Sequence, residues 1–94
     1  VKVTPRAIPA ALRSAVLDTL HALERRDRAA WERIDCYGPV PAPPTVERII
    51  RSGGITRRLG GRFTMSEPLV LWRRADRLTR IRAVRRILRE AGRL

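Results

Sequence analysis

Twenty arginines and a single lysine, Lys2, set the chemistry open to this chain. Eight of the arginines fall in RADRLTRIRAVRRILREAGRL, residues 74–94. A guanidinium stays charged at any physiological pH and presents a planar fork of donors that fits phosphate or carboxylate oxygens. Recurrence at three- and four-residue steps aligns such forks along one side of a helix. Arg73, Arg77 and Arg80 follow one line, and Arg82, Arg85, Arg86, Arg89 and Arg93 continue across the same polar side. Arg57, Arg58 and Arg62, from ITRRLGGRFTM, complete the candidate set for tracking a polyanionic backbone.

The charge is unevenly spread. The 94 residues carry +12 in all. Residues 1–36 contribute +2, residues 37–67 contribute +3, and residues 68–94, with nine basic and two acidic side chains, contribute +7. The two acids of the last segment and the five of residues 1–36 cannot neutralise nine arginines, so a solvated face of internal ion pairs does not account for the excess. Such a density repels itself, and an anionic partner is the usual reason to keep it. The near absence of lysine fits GC-rich codon usage, so the choice of arginine is not itself an argument for bidentate recognition, whereas the net charge is.

The kind of anion is narrowed by what is missing. The chain has no asparagine and no glutamine, the side chains that read adenine in the major groove. Single-stranded nucleic acids are held by stacking on aromatic rings. Of Trp31, Tyr37, Phe63 and Trp72, three are needed for the core, which leaves Tyr37, beside the proline-rich connector, as the stacking platform. This reading favours duplex DNA, with structured RNA as the related alternative, held through its backbone by a regulator or accessory factor of a phage, plasmid or high-GC bacterium. A protein-interaction or ribonucleoprotein subunit whose arginines meet an acidic partner is the reading from a different class.

Other chemistry finds little support. One histidine, His21, and one cysteine, Cys36, cannot build a zinc site or an internal disulfide. GGITRRLGG lacks both the phosphate-loop lysine and the dinucleotide fingerprint. No nucleophile is placed by a motif, so no enzymatic activity, cofactor or metal is expected. No apolar run approaches the ~18 residues of a membrane span, and no signal-like apolar block opens the chain. A cytoplasmic protein without membrane attachment is the expectation.

The elements that must position these arginines follow from periodicity and punctuation. Residues 1–8 read as an arm. Pro9 suits a first helical turn, and Leu12, Val16, Leu20, Leu23, Ala30, Trp31 and Ile34 predict one amphipathic helix over 9–35, with Glu24 and Arg28 as an i,i+4 pair. CYGPVPAPP, 36–44, is an extended connector. Thr45 caps a short helix over 45–52 that ends at Gly53 and Gly54. For 55–65 a hairpin with a three-residue loop, Gly60 to Arg62, places Ile55, Leu59, Phe63 and Met65 on one face. A helix-turn-helix is the rival, but residues 60–65 are longer than the usual three- or four-residue turn. Ser66, Glu67 and Pro68 open a basic helix over 66–91, with Leu71, Ala75, Leu78, Ile81, Val84, Leu88 and Ala91 as its apolar stripe.

The expected fold is therefore a single, mainly α domain: two long amphipathic helices, a short helix and a β-hairpin, in a small α+β or degenerate helix-turn-helix or winged-helix-like arrangement. Val70, Trp72 and Ile87 lie off the stripe of the basic helix, and this predicts uncovered apolar surface and a homodimer.

Overall fold

The computed structural model describes residues 8–33, 41–60 and 66–94, and these contain five α-helices and no strand. They are α1 (Ala10–Arg33), α2 (Val46–Arg51), α3 (Gly54–Leu59), α4 (Glu67–Arg74) and α5 (Arg77–Glu90). The fold is mainly α, as the periodicity predicts. Helix α1 starts after Pro9, whose carbonyl accepts from the Arg13 N–H at 3.1 Å. Its buried line is Ala15, Val16, Thr19, Leu20 and Leu23. The remaining helices fold back over this line and contribute Ile49, Ile55, Leu59, Leu69, Trp72, Val84, Ile87 and Leu88 to one core.

The hairpin is not formed. Residues 54–59 are helical, and only residues 61–65 of the proposed hairpin lie outside the described residues. The physical reason is legible in Arg57. A strand puts Ile55, Arg57 and Leu59 on one face, which would bury a guanidinium with two aliphatic side chains. A helix brings Ile55 and Leu59 together at i,i+4 and turns Arg57 and Arg58 outward; Ile55 and Leu59 are buried and both arginines exposed. Helices α2 and α3 are joined by Ser52 and Gly53 alone. Gly53 takes a left-handed φ of 71°, a conformation that costs other residues about 1 kcal/mol or more.

The basic helix expected over 66–91 is two helices. Ser66 caps α4 as predicted: its Oγ accepts from the Leu69 N–H at 3.3 Å and donates to the Leu59 carbonyl at 2.7 Å, tying the end of α3 to the start of α4. At Ala75 the backbone turns extended (φ −66°, ψ 136°), and Asp76 then caps α5 by accepting from the Thr79 N–H at 2.7 Å. The elbow changes the apolar register. Leu69 and Trp72 face the core in α4, and Val84, Ile87 and Leu88 face it in α5. Leu71 and Leu78, assigned to the stripe, are 48% and 54% exposed. Of the three residues assigned outside it, Trp72 and Ile87 are buried and Val70 is half-buried, so the exposed apolar surface of these helices is Leu71 and Leu78 instead. Helix α5 ends in a Schellman turn, with Gly92 at φ 72° and the Arg93 N–H donating to the Leu88 carbonyl at 2.8 Å.

Candidate nucleic-acid interface

The Asp76 cap and the Schellman turn fix both ends of α5, and the buried Val84, Ile87 and Leu88 fix its rotation. At 100° per residue the opposite side is then set: Leu78, Arg82, Arg85 and Arg89 face solvent, and Arg86 lies beside them. From Arg82 to Arg89 this row advances roughly 10 Å along the axis. All three arginines of the row are exposed, and among the described residues no acid lies within ion-pair distance of any of them. Like charges at i,i+3 and i,i+4 cost a helix about 0.2–0.5 kcal/mol per pair, so the row works against the stability of α5.

The other candidates are differently placed. Arg77 forms an ion pair with Glu47 of α2 at 2.6 Å, and Arg51 approaches the same carboxylate at 3.6 Å. Arg80 lies over the Trp72 ring, 5.1 Å from its centroid. It also donates to the Trp72 carbonyl at 3.0 Å and the Arg73 carbonyl at 3.2 Å. These carbonyls belong to the last turn of α4, where the Trp72 carbonyl otherwise accepts only from the capping Ala75 N–H at 3.3 Å, so Arg80 closes the elbow. Arg93 pairs with Glu24 of α1, which takes Glu24 away from its expected partner Arg28. Glu90 is shared between Arg86 at 3.2 Å and Arg13 at 2.8 Å.

Arg57 and Arg58 stand exposed on α3, remote in sequence from the row, and both guanidinia reach backbone. Arg57 donates to the Ser52 carbonyl at 3.4 Å, and Arg58 to the Gly54 carbonyl at 3.2 Å and to Thr19 Oγ1 at 3.4 Å. Arg73 is exposed and engaged, and Arg62 lies outside the described residues. The structure thus separates the predicted set. Arg82, Arg85 and Arg89 form one solvent-facing row, while Arg77, Arg80, Arg86 and Arg93 are held by groups of the fold.

Two features escaped the sequence reading. Arg48 of α2 grips Asp27 of α1 with both Nη atoms, Nη1 lying 2.5 Å from Oδ2, and Nη1 also donates to the Ala42 carbonyl. The Arg48 hydrogen bonds hold the Asp27 carboxyl below its ordinary value against the opposing effect of burial. Trp31, assigned to the core, is 54% exposed near the end of α1. The signal for it was available: the buried line of α1 ends at Leu23, and RRDRAAWER beyond it is rich in charge. Tyr37, the expected stacking residue, lies outside the described residues.

Among the described residues no cluster of three metal-binding side chains exists, and no helix is long and apolar enough to cross a membrane. Comparison with known proteins gives no match: no family model, no curated protein and no solved structure is significantly similar to this chain.

Proposed function

We propose that this chain is a non-enzymatic nucleic-acid-binding protein, a regulator or accessory factor that holds duplex DNA mainly through its phosphates. The observation that carries this reading is the row Arg82, Arg85 and Arg89. These are exposed guanidinia with no carboxylate in ion-pair contact among the described residues, Arg82 alone feeling the Asp76 cap at longer range, on a helix pinned at both ends, in a chain of net charge +12. A backbone-tracking surface needs mutually repelling cations held in a line, and only an external polyanion repays that repulsion. Base readout is secondary, since no asparagine or glutamine is present to address adenine.

Binding of a labelled duplex across a salt series tests the proposal. If about five phosphates are engaged, with the row supplying three, log affinity falls against log salt with a slope near −4 to −5. A flat salt dependence, or no duplex binding at low salt, rejects it.

A second reading, an acidic protein partner, draws on the fold itself, where carboxylates already hold Arg48, Arg77 and Arg93. Competition separates the two. Polyglutamate displaces an acidic-protein site as effectively as duplex DNA does, whereas a phosphate-tracking row prefers the duplex.

A further inference from the structure

The last turns of α1 extend past the core. No residue of α1 after Leu23 is buried, yet this segment carries the largest apolar side chain of the helix, Trp31, with Arg28 beside it at i−3. A large aromatic left half in water gains nothing for the fold. Trp31 lines a cleft of about 310 Å³ together with Asp27, Arg28 and Pro41. One wall is held in place from α2, because Arg48 joins Asp27 on α1 to the Ala42 carbonyl next to Pro41. The same contact neutralises the cleft's carboxylate. Arg28 is exposed and makes no ion pair among the described residues, so the charge offered to a ligand here is positive.

From this geometry we infer that the Trp31 cleft is a stacking site for an unpaired nucleobase, with Arg28 meeting the adjoining phosphate. The inference rests on the reading of the chain as a nucleic-acid binder, but on different residues from the α5 row. Charge complementarity selects the occupant. The exposed indole suits a planar ring, and Arg28 beside it suits the adjoining phosphate. A second copy of this chain would bring its own excess of positive charge to the same place.

Titration with a short oligothymidylate and with a blunt duplex, each followed by anisotropy of a label and by tryptophan fluorescence, tests the inference. Oligothymidylate quenches the fluorescence of the parent. In Trp31→Phe the quenching is lost, because the remaining tryptophan, Trp72, is buried beneath Arg80, while affinity stays within a few-fold since a phenyl ring still stacks. Trp31→Ala weakens oligothymidylate binding on the order of 10- to 100-fold and leaves duplex affinity unchanged. Arg28→Ala weakens the single-stranded probe alone and makes its salt slope shallower by about 0.7.

Undiminished oligothymidylate binding by Trp31→Ala, with circular dichroism unchanged, overturns the inference while duplex binding keeps the broader reading alive. Fluorescence that shifts on dilution without any oligonucleotide overturns it in favour of self-association. Failure of both probes to bind the parent overturns the two readings together.

Discussion

Gly54, the first residue of α3, meets Thr19 of α1 so closely that a methyl group on Gly54 would stand 2.8 Å from Thr19 Cγ2 and 2.9 Å from Thr19 Oγ1. Thr19 cannot easily give way. It is buried, and its hydroxyl donates to the Ala15 carbonyl at 2.6 Å. The Arg58 guanidinium, also 2.8 Å from that methyl position, ends a flexible side chain and can swing aside. Replacing Gly54 by Ala therefore overpacks the α1–α3 contact and costs about 1–3 kcal/mol in urea unfolding, although alanine is the better helix former. Thr19→Ala removes both obstructing atoms. The double variant is then more stable than the sum of the single losses by about 1–2 kcal/mol, and strict additivity contradicts the contact.

Gly53, one residue earlier, makes a contrasting case. A Cβ there meets nothing within 4 Å, so the cost of Gly53→Ala is the left-handed φ alone, about 1 kcal/mol. Changing Thr19 does not recover it. A rescue of Gly53→Ala by Thr19→Ala, seen in the same unfolding assay, shows that the two glycines act through one contact and not two mechanisms.

The Asp27–Arg48 fork predicts how stability responds to acid. The Asp27 side chain is 16% exposed, and the Arg48 hydrogen bonds hold its carboxyl below the usual carboxylate range. A depressed folded-state value contributes stability that is fully present above the unfolded value, near pH 4, and is lost as pH falls through the folded one. Asp27→Asn keeps the shape and removes the charge. At pH 7 the variant is less stable by about 1 kcal/mol, in line with a partly exposed bidentate pair. Below about pH 4 the gap between variant and parent narrows. Urea unfolding at the two pH values measures it, and a constant gap shows that the ion pair carries no stability.

The parts of the fold that were legible in the sequence are those set by neighbours along the chain. Thr45 and Ser66 cap helices where their side chains precede a helical pattern, and Gly92 ends α5. Asp76 was hidden because Leu71, Ala75, Leu78 and Ile81 continue a helical period across it, and a periodic pattern does not reveal which of its residues find a core. The choice was made by Trp72, which buries a larger area than either exposed leucine, and by Arg80, which closes the turn over it. The candidate site divides the same way. The spacing of Arg82, Arg85 and Arg89 is a local property and can be read directly. The engagement of Arg77 and Arg93 depends on Glu47 and Glu24, thirty and sixty-nine residues away, which no helical pattern reports.

This division yields the last prediction, which sets two groups of arginines on neighbouring turns against each other. Replacing Arg82, Arg85 and Arg89 together by Ala breaks no side-chain hydrogen bond or ion pair among the described residues and gives up only the long-range attraction of Arg82 to Asp76. It also relieves repulsion at i,i+3 and i,i+4, so thermal stability holds within a few tenths of a kcal/mol. Duplex binding weakens across sequences, and the salt slope becomes shallower by about three as three phosphate contacts are lost. Replacing Arg77 and Arg80 by Ala removes the Glu47 ion pair, the stacking on Trp72 and the donors to the α4 carbonyls. Stability then falls by about 1–2 kcal/mol, most of it from the Arg80 contacts. Because these two guanidinia are already engaged, the salt slope changes by less than one. Thermal unfolding and a salt titration on both variants are sufficient. A parent-like salt slope in the triple variant, or its loss in the Arg77 and Arg80 variant alone, places the polyanion contact at the elbow and not along the row.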